Sequence, residues 1–376
     1  MIKLCNIINK SIDFNLRQLV INSKRIYTIS STKQFTHLPL KFKNKEYYDH
    51  KGTYILIGDV TYNFKSYSSA KEDDVTAIIE SGREFYEIQQ EVNLSEFTSN
   101  YWRTLRVSKP LLLTFNVDKS AESRMMDSVM GSGVHCKNMS SLDELFETIL
   151  QYKEHKDLIG CYLNLDNNYD AYLTINKDLF EKIRLSSNSV FLDVTYPYYQ
   201  SVDEYMKISK IINLVNPHVL RFCNGTLKFL LNTDLQCPLL KENGTNEDFS
   251  MERCYYISEK YNLTVIDSSE SIVISNHNNM EVVVFPRLPQ ILNKIHGHNN
   301  CFGAVIASMT TLSSDNYLVP SSAAISGLDF VSSESAKKAN GPGSMLCNML
   351  DSIYNLSMSP DVISEHKTEV KFYKRK

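Results

Sequence analysis

The segment Val190-Phe191-Leu192-Asp193 ends an apolar, strand-like run on an acid. In open α/β sheets the carboxyl ends of strands line the ligand crevice, so a carboxylate there is placed to organise a metal ion or a water. The alternative is an Asp that caps a turn or the following helix. A second concentration of polar groups, from Lys294 through His296, Gly297, His298, Asn299 and Asn300 to Cys301, precedes an apolar stretch with helical character. His296 and His298 are metal-ligand types, but no third ligand accompanies them, and a hydrated loop is the plainer reading. The eight cysteines show no Cys-x-x-Cys pair, which suits reduced intracellular thiols. Neither a Gly-x-x-x-x-Gly-Lys-Ser/Thr loop, a His-Glu-x-x-His pair nor a Gly-x-Ser-x-Gly turn occurs, which excludes the chemistries those motifs carry.

Such groups need a scaffold, and the sequence can build one. A chain of 376 residues, 43% hydrophobic and 22% charged, can bury a substantial core as one large domain or two smaller ones. A net charge of −3 gives no global attraction to nucleic acid or anionic membrane, and no apolar run is long enough to span a bilayer. From Pro110 onward strand-like and helix-like segments alternate, which predicts an α/β fold with crossover connections. Strands are expected at 111–115, 158–163, 190–193, 218–222 and 263–266, with paired strands at 272–274 and 282–285 joined by the turn residues Asn276 to Asn279. Helices are expected at 141–152, 203–214, 251–261, 301–312 and 321–339, with a last one ending near Leu356 after the Gly341-Pro342-Gly343-Ser344 turn. The first of these carries a capping signal, Ser141-Leu142-Asp143-Glu144.

The ends differ in composition from the middle. Residues 1–34 carry Lys3, Lys10, Arg17, Lys24, Arg25 and Lys33 against Asp13 alone, the pattern of a mitochondrial targeting segment or of a basic leader that stays attached. Residues 35–100 form an extension of unknown role, with a β-prone run at 53–58 and helical spacing at Val75, Ile78, Ile79 and Phe85. Residues 357–376 read as a basic, solvated tail ending Tyr373-Lys374-Arg375-Lys376. An intracellular protein, cytoplasmic or mitochondrial, is expected.

Several pieces occur in one order that resembles the hydroxyethylthiazole kinase family. The segment from Lys294 to Ser308 is similar to the family's glycine-rich helix start, Ser322-Ala323-Ala324-Ile325-Ser326 to its A-A-I-S, and Lys338 to Ser344 to its K-G-P-G-S with two residues inserted. Met349-Leu350-Asp351-Ser352-Ile353-Tyr354 resembles its L-L-D-x-L-Y. Upstream, Asn188 to Asp193 resembles K-P-V-V-L-D, and Val215 to Arg221 resembles V-K-P-D-V-I-R. The resemblance covers residues 101–356. It implies a ribokinase-like central sheet flanked by helices, ATP and Mg2+ as cosubstrate and cofactor, phosphorylation of a hydroxyl on the thiazole moiety of thiamine, and a homo-oligomer, a trimer in that family.

Carried over position by position, the resemblance nominates site residues and exposes departures. The catalytic position falls on Asn300, or on Cys301 if the loop holds one extra residue; Cys301 can equally be an inert buried thiol. An amide orients a hydroxyl but is no general base. Nucleotide contacts fall on Arg221, Ser268 and Gly297, and the acids that could organise magnesium are Asp193 and Glu270, either of which can also be a turn carboxylate. Thr226 and Leu227 stand where the family has an acid, Asp203 stands where it has an arginine, and residues 113–117 lack its polar substrate motif. A binding or structural subunit without catalysis is therefore the second reading.

Overall fold

The computed structural model describes residues 94–375 apart from 155–157, 166–168, 196–201, 224–225, 228–245, 270 and 367; before residue 94 it describes short strands at 41–42, 45–46, 54–57, 60–63 and 85–88. The leader at 1–34 and the positions Val75, Ile78 and Ile79 lie outside the described residues.

Ten strands form one sheet: β1 Phe85–Ile88, β2 Leu111–Phe115, β3 His135–Met139, β4 Ile159–Leu165, β5 Ser189–Val194, β6 Val219–Cys223, β7 Thr264–Ser268, β8 Ile272–Asn276, β9 Glu281–Phe285 and β10 Lys371–Arg375. Their spatial order is β1-β10-β9-β8-β7-β6-β5-β4-β2-β3. The six strands from β3 across to β7 are parallel, and the remaining pairings are antiparallel. Parallel strands need covered faces. Accordingly Leu111, Leu113 and Phe115 join one apolar layer while Leu112 joins the other, and the same two-residue alternation divides β4 to β9.

On one face lie α1 Leu94–Ser108, α2 Lys119–Gly131, α7 His298–Thr310, α8 Leu318–Lys338 and α9 Pro342–Met358; on the other lie α3 Leu142–Lys153, α4 Lys177–Ser186, α5 Val202–Val215 and α6 Asn246–Tyr261. The expected cap forms: the Ser141 side chain accepts from the Glu144 amide, and Glu144 Oε2 accepts from the Ser140 amide at 2.8 Å. At α9, Pro342 occupies the first turn and Ser344 Oγ accepts from the Gly341 amide. The β8–β9 turn runs through a 3-10 turn at His277–Asn279, with Met280 in the left-handed region at φ 55°.

Three expectations are corrected. Residues 371–375 are not a free tail, because Lys371–Arg375 becomes β10, pairing with β9 on one side and β1 on the other. The physical reason is that β9 would otherwise present a row of unpaired backbone groups at a sheet edge. Phe85 belongs to β1 rather than to a helix, so the extension contributes to the main sheet. The expected boundary at 100/101 falls inside α1, whose Phe97 and Trp102 are buried.

His218 shows how tightly the parallel region is held. Its Nδ1 accepts from the Val190 amide at 2.9 Å and its ring stacks on Tyr317 at 5.1 Å. Burial, aided by Arg184, pushes its pKa from 6.5 down to about 4. The unfolded chain therefore takes up the proton first, so stability is complete above pH 6.5 and is lost as pH falls through about 4. Thermal midpoints are expected to drop across that window, with a loss on the order of 3 kcal/mol that His218→Gln largely removes. Equal acid sensitivity in the two proteins would refute this.

Candidate active site

In-register parallel pairing sets Arg221 of β6 opposite Asp193 of β5. The two-residue period sends both, with Tyr162 of β4, to the face that α7 covers. Arg221 Nη1 donates to Asp193 Oδ2 at 2.9 Å, and Tyr162 Oη donates to the same oxygen at 2.8 Å. The guanidinium then reaches past the sheet: Nη1 donates to the Asn299 carbonyl at 2.8 Å, and Nη2 approaches Asn299 Oδ1 at 3.5 Å. A buried chain thus ties two strand ends to the first turn of α7. Arg221 is 2% exposed and Asp193 is 0% exposed. Burial pushes the Asp193 carboxyl up, opposed by the Arg221 guanidinium. Burial works hardest against the guanidinium charge, but Asp193 together with Cys223 and Tyr162 outweighs it and holds Arg221 protonated.

Helix α7 can lie on this pair because of Gly303. A Cβ at that position would stand 2.1 Å from Asp193 Oδ2 and 2.9 Å from Arg221 Nη1. The helix is buried from Asn300 to Thr310. At its start Gly297 takes φ 80°, in the left-handed region that favours glycine, and no side chain caps the first turn.

That uncapped end opens on a cavity of about 680 Å³ at the carboxyl ends of β6 and β7, within the size range of small-molecule sites. Arg221 forms part of its wall, with Ser268 and Thr195 beside it; Ile266, Phe302 and Leu328 supply apolar surface. Ser268 Oγ donates to the Phe222 carbonyl at 3.0 Å. Asn300 lines the cavity and is 8% exposed. His298 lines it too: its Nδ1 lies 2.9 Å from the Ile295 carbonyl, which fixes the proton on Nδ1 and leaves Nε2 as acceptor. Burial lowers its pKa, so the ring is neutral at pH 7.

The structure therefore gathers Arg221, Ser268, Gly297 and Asn300 around one cavity and separates two other nominated residues from it. Cys301 does not line the cavity; it is 0% exposed in the helical layer, and burial pushes its thiol up to about 11. A helix residue one position on points roughly 100° away, so the one-residue shift that would make Cys301 catalytic turns it toward α2 instead. Asp193 lies beneath α7 and is consumed by Arg221 and Tyr162. Glu270 lies outside the described residues. Thr226, at the missing acid, donates its Oγ1 to the Cys223 carbonyl at 2.6 Å. Asp203 sits in the first turn of α5, where a carboxylate suits the helix dipole.

Magnesium is implied by the resemblance, and the described residues do not fit it. Among the described residues Asp193 does not line the cavity and its Oδ2 is taken by Arg221 and Tyr162, the one carboxylate in the lining is Asp118, and no group of three His, Cys, Asp or Glu side chains is placed to hold a metal. Asp118 is engaged elsewhere: it caps α2 through the Ser120 amide at 3.0 Å and lies 3.3 Å from His296 Nε2. Sequence reasoning missed Tyr162 as a site residue and Gly303 as the spacer over Tyr162, Asp193 and Arg221, and it weighed His298 only as a metal ligand against a hydrated loop. A lone glycine inside an apolar helix stretch was the one signal available for Gly303.

Compared with known proteins, no family model matches the chain. Hydroxyethylthiazole kinase 2 of Clostridium botulinum (strain Loch Maree, type A3) is 26% identical over 152 residues, 40% of this chain and 56% of that protein. Hydroxyethylthiazole kinase 1 of Clostridium botulinum (strain 657, type Ba4) is 27% identical over 135 residues, 35% of this chain and 49% of that protein. The chain thus spans about half the length of the curated relatives it matches. Among solved structures, the hydroxyethylthiazole kinase protein of Pyrococcus horikoshii OT3 superposes with a TM-score of 0.59 at 14% identity, covering 74% of this chain and 99% of that one. The fold is therefore ribokinase-like. Among the described residues no helix is long and apolar enough to cross a membrane.

Proposed function

We propose, on the premise that the chain is a divergent member of the hydroxyethylthiazole kinase family, that it binds ATP in this cavity and phosphorylates a hydroxyl of a small molecule, with hydroxyethylthiazole as the first substrate to test. The observation that carries the reading is the uncapped start of α7, which opens on the cavity with Arg221 alongside. Free backbone amides and the helix dipole attract a phosphate there and stabilise negative charge as it develops on the transferred group. His298 Nε2 is the neutral acceptor in the lining that can take the hydroxyl proton; Asn300 orients the hydroxyl. The site, unlike that of the resembling family, would then draw its base from the first residue of the helix.

A coupled ATP assay with hydroxyethylthiazole, run beside a nucleotide titration, tests this. His298→Ala is expected to lower kcat by about a hundred-fold or more, with nucleotide affinity held within about two-fold. Cys301→Ala is expected to leave both unchanged. Full turnover in the His298 variant would sink the assignment. A homo-oligomer remains part of the proposal, and light scattering on the purified chain checks it.

The second reading is a binding subunit without catalysis. The sequestered Asp193 and the hydroxyl of Thr226 in place of an acid favour it. It requires nucleotide binding with no ATP consumption whatever alcohol is supplied.

A further inference from the structure

Among the described residues the cavity lining joins three cations, Arg221, Arg287 and Lys294, to the single carboxylate Asp118. Magnesium is normally held between a protein carboxylate and ligand phosphates, and the acid at the strand end, Asp193, is instead spent on Arg221. Arg221 itself is not fully used. Its Nε is buried and has no partner among the described residues, although Nη1 and Nη2 are engaged. A buried guanidinium N–H without an acceptor is costly, and a ligand oxygen would satisfy it. The uncapped amides of α7 stand at the same cavity, and Arg287 and Lys294 are exposed at its rim.

From these observations we infer that the cavity takes a phosphate-bearing ligand without a divalent cation, its charge met by Arg221, the start of α7 and the rim cations Arg287 and Lys294. The inference rests on the nucleotide-site reading above but is separable from it, because it concerns how phosphate charge is neutralised. Two kinds of group then divide the work. Arg221 and the helix amides are fixed by the fold and set the phosphate position. Arg287 and Lys294 are side chains on the loop and 3-10 turn after β9, and supply long-range attraction. Asp118 is held as a carboxylate by the Ser120 amide and hydroxyl, one negative charge against the three cations.

The test is calorimetric titration of the full chain with ADP and, separately, with inorganic pyrophosphate, each in magnesium buffer and in EDTA. Affinities that agree within about two-fold between the buffers support the inference. Arg221→Met strips the guanidinium but leaves Asp193 unpaired, so the exposed double variant Arg287→Ala with Lys294→Ala decides; it is expected to weaken both ligands in EDTA by about ten-fold or more. Unchanged affinity in that variant overturns the charge assignment. Binding in magnesium only overturns the inference while leaving the kinase reading intact. Metal-free binding of pyrophosphate with none of ADP upholds the inference and defeats the nucleotide reading, and binding of neither probe in either buffer overturns both.

Discussion

Asp193→Asn is expected to lower folding stability by about 3–5 kcal/mol, because it leaves the Arg221 charge buried with no counter-charge. The pair lies at 2.9 Å with side chains 0% and 2% exposed, so solvent cannot take over from either partner. Arg221→Met is expected to cost a similar amount, since it strands the carboxylate and frees the Asn299 carbonyl of its donor. Combined, the two changes should cost well under their sum, because the double variant buries no net charge. Urea titrations of the four proteins give the coupling directly. Additive losses would show that the pair is not the unit that holds β5, β6 and α7 together. The pair's value lies less in net stability than in placement, since it fixes the first turn of α7 relative to the sheet.

Gly303→Ala is expected to disturb the same unit from the helix side. The added methyl meets Asp193 Oδ2 at 2.1 Å, far inside contact distance, and the carboxylate cannot retreat without breaking its bonds to Tyr162 or Arg221. Overpacking alone costs about 1–3 kcal/mol, and strain on the ion pair adds to it. Because α7 must lift, nucleotide affinity should fall as well, by about ten-fold or more if a phosphate contact is lost. Gly343→Ala provides the control: a Cβ there meets nothing within 4 Å, so it should be neutral or slightly stabilising. A Gly303 variant as stable as the parent, with undiminished binding, would mean that α7 does not rest on the pair.

Much of the scaffold was legible before any coordinates. The alternation of apolar runs and helical spacing from Pro110 onward marked the parallel sheet, the Ser141 cap and the β8–β9 turn, because these features depend on periodicity and local hydrogen bonding. The order of the motifs pointed to the ribokinase-like fold, and the neighbourhood of Arg221, Ser268, Gly297 and Asn300 was recoverable from it. The basic C-terminal segment misled, since whether such a segment is solvated or becomes a strand such as β10 depends on whether an edge elsewhere needs a partner.

What the sequence determined by itself was the residue types available and the order of the elements that carry them: an acid closing β5, a basic residue on β6, a glycine opening α7. Tertiary structure alone decided what those groups do. Parallel register faces Asp193 with Arg221, and the close approach of Gly303 seats α7 on the pair, which leaves Arg221 in the cavity wall and Asp193 beneath the helix. The twist of the helix past Asn300 turns Cys301 into the core, while Nδ1 of His298 is held by a carbonyl three residues back. A carboxylate at a strand end is a metal ligand or half of a buried ion pair according to its neighbour one strand away and the helix above it, and that pairing depends on contacts distant in the chain.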